Sequence, residues 1–147
     1  MNYLKFLVLL IFLTSKSVLA CSCVESTGTL KGDVQRAYEN SKLVVTVKAI
    51  KIKMHKGSDP EYPNTKLEKQ RVTWKIISVW KGDLREGATI TTDTIVMCCM
   101  CGVSVKAGSS RILYLAEQES FTVSGCSVGS NIKTRSEQEN ILKELKN

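Results

Sequence analysis

Between Leu43 and His55 the chain alternates apolar and polar residues, and partway along the alternation changes phase. Leu43, Val45, Val47 and Ala49 share one parity, then Ile50, Ile52 and Met54 take the other. A period of two marks a β-strand with one wet face; a helix would need apolar residues at three- and four-residue steps. A phase change inside a strand is what one extra, unpaired residue produces, and such a bulge bends the strand. The chain is therefore expected to be mainly β and to curl around its core. Lys48, Lys51, Lys53 and Lys56 line the polar positions of this strand.

The remaining residues supply its partners. Lys56 to Lys66 contains Gly, Asp, Asn and both prolines, so it is a loop. Val72, Trp74 and Ile76 then alternate with Thr73 and Lys75 in a second strand that runs to Trp80 and ends at the turn Lys81-Gly82-Asp83. Three more strands are expected over Ala88 to Met97, Arg111 to Ala116 and Phe121 to Gly125. Ahead of the first strand, Val34, Ala37 and Tyr38 predict a short helix capped by Asp33. At the far end Ser136-x-x-Glu139 reads as a capping box opening a helix that buries Ile141, Leu142 and Leu145. The expected fold is a five-stranded Greek-key barrel of the OB-fold type with short flanking helices, a C-terminal one included. An immunoglobulin-like sandwich is the alternative, and it wants more strands and a Cys–Trp–Cys arrangement.

Residues 1–20 have the pattern of a secretory signal peptide: Lys5, the apolar run Phe6 to Leu13, and small residues at Val18 and Ala20. That run is far shorter than the ~20 residues of a membrane span, so no transmembrane segment is expected. Cleavage after Ala20 would release residues 21–147 as a single secreted domain, extracellular or, in a bacterium, periplasmic. Val18-Leu19-Ala20-Cys21 also resembles a lipobox, in which Cys21 would be acylated and lipid-anchored. The whole chain carries a net charge of +7, and the signal holds Lys5 and Lys16 but no acid, leaving the exported part moderately basic. All six cysteines, 21, 23, 98, 99, 101 and 126, lie in that part, where disulfides persist. The sequence does not choose among their pairings.

A chain beginning Cys21-Ser22-Cys23 would carry a free α-amine on Cys21. Its reference pKa of ~7.7–8.0 leaves a useful neutral fraction able to donate to a metal. The carbonyl of the same residue can close a five-membered chelate.

Cys21-Ser22-Cys23-Val24, Met100-Cys101-Gly102 and the stretch Phe121 to Cys126 resemble the inhibitory domain of the tissue inhibitors of metalloproteinases and the wider netrin-like module. The resemblance spans residues 21–147, and Trp80-Lys81-Gly82 is similar to a turn of bacterial single-domain members. It implies an OB barrel with packed helices and the disulfides Cys21–Cys101 and Cys23–Cys126. It further implies inhibition of zinc metalloproteases, with the Cys21 amine and carbonyl chelating the catalytic zinc. Ser22 would then enter the S1′ pocket, while Cys23 and Val24 contact the protease on its primed side. On this reading the zinc belongs to the target protease, and the chain has no cofactor of its own. The sequence departs from the family at Ser22, usually threonine, and at Glu25, usually proline. It also lacks the cysteine of a third disulfide, and Cys98-Cys99 has no family counterpart.

Other readings of the same residues remain. Cys21-Ser22-Cys23 could be a structural staple in a binding or structural module of matrix or cell surface without inhibitory activity. A thiolate metal site is disfavoured by an oxidising compartment and the absence of neighbouring histidines. His55, the only histidine, lies among lysines and reads as solvated; with no Cys–His pair and no paired carboxylates in an evident cleft, no enzyme is expected. The lysines from 48 to 56 fit an anionic matrix polysaccharide or a phospholipid surface, or simply a solvated strand face. Trp74 and Trp80 read as core and rim residues, and no nucleic-acid partner is expected.

Overall fold

The computed structural model describes residues 27–58, 64–96, 103–116 and 135–147. Within them the order is helix α1 (Leu30–Asn40), strands β1 (Leu43–Ser58), β2 (Lys66–Lys81), β3 (Thr89–Ile95) and β4 (Ser110–Leu115), then helix α2 (Arg135–Lys146).

The strands form one antiparallel sheet in the order β3-β2-β1-β4. Three consecutive strands with a fourth returning beside the first is the Greek-key order. The expected closed, five-stranded OB-fold barrel is not what these residues build. The four strands make an open half-barrel with a 10 Å gap and two flanking helices. The physical reason is in the pairing: among the described residues β3 bonds only to β2 and β4 only to β1, so both end this sheet as edges. The fifth predicted strand, Phe121 to Gly125, lies outside the described residues.

Curvature comes from register shifts. The phase change read in the sequence is one of them: Ala49 faces Trp74 and Lys51 faces Thr73, so Ile50 is the extra residue. Two more shifts, at Val44/Val45 and Thr46/Val47, put the extra residue on β2. They could not be seen in β1 alone. Ile50 and Ile77, the unpaired residues at two of the shifts, stay exposed.

The inner face of the half-barrel holds the larger core, built from Leu43, Val45, Val47, Val72, Trp74, Ile76, Leu113 and their neighbours. Trp74 is fully buried, and its indole Nε1 donates to Thr92 Oγ1 at 2.8 Å. Losing such a side chain costs about 3–5 kcal/mol. The helices cover one end of the outer face. Val34 of α1 and Leu142 of α2 pack with Val44 and Ile112, flanked by Tyr38, Trp80, Tyr114 and Ile141. Trp80 Nε1 donates to Thr46 Oγ1 at 2.9 Å, and Thr46 donates on to Glu139 of α2 at 3.3 Å.

Two helix boundaries differ from the sequence reading. Thr29, not Asp33, caps α1 and accepts from the Gly32 N–H at 3.1 Å. Asp33 sits in the first turn, where its carboxylate accepts from the Thr27 N–H at 2.6 Å. Ser136 is already inside α2, and Glu139 bonds to Thr46 in place of a cap. The predicted turn after β2 is present. Gly82 has φ +99°, and a Cβ there would lie 2.8 Å from Leu43 Cδ1, so only glycine fits without strain.

Candidate functional site

The residues implied by the family resemblance, Cys21, Ser22, Cys23, Val24, Cys101 and Cys126, all lie outside the described residues, as do Cys98 and Cys99. The structure does describe where the chain rejoins the fold around them. Thr27 is tied to α1, since both its N–H and its hydroxyl donate to Asp33 Oδ1. On the other side, β3 ends at Ile95, and by Val103 the chain is back on the same strand: the Val103 N–H donates to Thr94 Oγ1 at 3.3 Å. Val105 then sits on the inner face, clasped by buried Gln70. Its N–H donates to Gln70 Oε1 at 2.8 Å, and its carbonyl accepts from Gln70 Nε2 at 3.4 Å. Val103 and Val105, the described residues that follow Cys101 in the chain, are thus held to β3 and β2.

A second surface lies wholly within the described residues. Residues directly opposite in an antiparallel pair share a face. Trp74 and Val72 face the core, so Lys75, Thr73 and Arg71 face outward. Their partners on β1 are Lys48, Lys51 and Lys53, and His55 opposes Lys69. On β3 the corresponding positions are Thr89, Thr91 and Asp93. Cation thus faces cation at Lys48–Lys75 and at Lys53–Arg71. Lys56, grouped with the other lysines in the sequence, opposes Glu68 and falls on the other parity. It does not belong to the set.

Asp93 is the only carboxylate at these strand positions. It accepts from Arg71 Nε at 2.9 Å and Nη2 at 2.8 Å, and lies 3.3 Å from His55 Nε2. The Arg71 hydrogen bonds, reinforced by His55, hold its carboxyl below the ordinary carboxylate range. His55 is thus engaged with Asp93, contrary to the solvated histidine expected. Glu139 borders the patch at Thr46 and lies 3.8 Å from Arg135.

One inner-face residue is anomalous. Arg111 of β4 stacks its guanidinium 5.7 Å from the centre of the Trp74 ring, while its Nε and Nη1 are buried without a hydrogen-bond partner among the described residues. Burial pushes its pKa down.

Sequence reading missed Lys69, Arg71, Lys75 and Asp93 as part of the basic surface. The alternation over 69–75 already put the first three on the polar parity, but only the register sets them against the β1 lysines. Among the described residues no group of three or more His, Cys, Asp or Glu is placed to hold a metal ion. No described helix is long and apolar enough to cross a membrane. No family model matches the sequence, and no curated protein matches it.

Proposed function

We propose that the chain is an exported inhibitor of zinc metalloproteases, acting through the amine and carbonyl of Cys21. The observation that carries this reading is the position of Cys21. Cleavage after Ala20 makes it the first residue, followed by Ser22-Cys23-Val24 in the pattern of the inhibitors it resembles. A catalytic zinc has three protein ligands and one open position, where its nucleophilic water sits. A five-membered N,O chelate displaces that water and leaves the protease without a nucleophile. Ser22 would enter the S1′ pocket, with Cys23 and Val24 along the primed side.

Chelation by a chain end demands rigidity, because most termini fray. The anchoring of Thr27 to Asp33, and of Val103 and Val105 to Thr94 and Gln70, supports the reading. It fixes the chain four residues after Cys23 and two residues after Cys101. The disulfides Cys21–Cys101 and Cys23–Cys126 would complete that rigidity.

The competing reading is a binding module of matrix or cell surface without inhibitory activity, and the basic outer face favours it. Intact-mass measurement of the exported protein separates part of the question. A mass matching residues 21–147 with a free amine is expected. Acylation of Cys21, or any residue retained ahead of it, removes the mechanism.

A further inference from the structure

We infer that the outer face of β1, β2 and β3 away from the helices is a docking surface for a linear anionic polysaccharide. This rests on the binding-module reading and is independent of Cys21. Like charges directly opposed across an antiparallel pair destabilise the sheet. Here they recur, at Lys48–Lys75 and Lys53–Arg71, with Lys51 and Lys69 on the same face. A single carboxylate, Asp93, answers these six cations at the strand positions. An arrangement that repels itself is relieved by an external polyanion.

The geometry favours a chain of repeating charge. Same-face residues recur at about 7 Å along a strand, and the strands lie about 4.8 Å apart. The cations therefore form two adjoining rows several sugars long. Asp93 grips Arg71 through Nε and Nη2, so that guanidinium is already ordered before a ligand arrives. Thr73, Thr89 and Thr91 alternate with the cations and add hydroxyl donors suited to sugars and sulfates.

The same positions argue against two other polyanions. A membrane-binding surface needs a continuous apolar face to enter the lipid. The paired positions here carry lysine, arginine and threonine with His55 and Asp93, while the exposed Ile50 and Ile77 stand at separate bulges and Ile95 at the margin. Single-stranded nucleic acid stacks its bases on exposed aromatics. Trp74 is buried in the inner core, and Trp80 packs beneath the helices.

The test compares two triple variants of the exported chain with equal charge change. Lys51→Ser, Lys53→Ser and Lys75→Ser disrupt the face; Lys42→Ser, Lys106→Ser and Lys143→Ser remove exposed lysines elsewhere. Binding to heparin, to neutral dextran and to phosphatidylserine vesicles is measured, with circular dichroism to check folding. The face triple should weaken heparin binding on the order of tenfold or more, and the control triple by less than about threefold. Native binding should fall steeply with salt, because exposed charges are screened within about 10 Å at 0.1 M. Equal losses in both triples would reduce the effect to net charge and overturn the proposal. So would unchanged heparin binding, or a loss confined to the vesicles. Protease inhibition, assayed in parallel, should be the same in the face triple and the native chain. Loss of inhibition by the N-terminal mechanism would therefore leave this result readable on its own.

Discussion

Gln70 on β2 holds the backbone of Val105 at two points, accepting from its N–H at 2.8 Å and donating to its carbonyl at 3.4 Å. Both groups are buried, so the bond replaces water that cannot reach them. Gln70→Leu would leave the Val105 N–H without a partner, at a cost of about 1–3 kcal/mol. Urea denaturation should show that loss. Because Val105 follows the Cys101 segment, the variant should also inhibit less well than the native chain at a temperature where both are folded. Unchanged stability would mean that the clasp is dispensable.

Arg111 tests the opposite case, a polar group whose removal should do no harm. Among the described residues its Nε and Nη1 are buried without partners, and the Trp74 ring alone offsets their desolvation. Replacing a poorly compensated buried charge by an apolar side chain of similar length is often neutral or stabilising. Arg111→Met should leave stability unchanged or raise it by about 1 kcal/mol. A loss of about 2 kcal/mol or more would show that the guanidinium has an anionic partner in the folded protein.

Asp93 gives the fold a pH dependence of known sign. Its carboxyl is held below its ordinary value, first by the hydrogen bonds from Arg71 and then by His55. The stabilisation is therefore fully present above the unfolded value of about 3.9 and is lost as pH falls through the lower folded value. Thermal melts from pH 6 down to pH 2 should show Asp93→Asn less sensitive to acid than the native chain. Parallel curves for the two proteins would contradict the assignment.

The four described strands and both helices were legible because their signals are local. Alternation at 43–55 and at 72–76 is a property of consecutive residues, and the slip at Ile50 announced its own bulge. What the sequence could not supply were relations between strands. The bulges opposite Val44 and Thr46 belong to β2 and leave no phase change in β1. Nothing in residues 89–95 or 110–115 says that, among the described residues, these strands end as separate edges and leave the sheet open. His55 illustrates the limit: among lysines in the sequence, it meets Asp93 across two strands in the fold. The Cys21 reading starts from sequence pattern, since the described residues begin at Thr27.

That reading stands or falls on the Cys21 amine, and one added residue removes it. An alanine ahead of Cys21 converts the amine into an amide, a poor zinc donor, and adds bulk where the metal must approach. The decisive measurement is inhibition of a panel of zinc metalloproteases by the native chain and the alanine-extended chain at matched concentration and equal folding. The account predicts that the native chain inhibits at least one protease, less well as pH falls below the amine's value of about 7.7–8.0, and that the extended chain inhibits none. Equal inhibition by both would show that Cys21 is not the zinc ligand, and inhibition by neither would show that the chain is not a metalloprotease inhibitor.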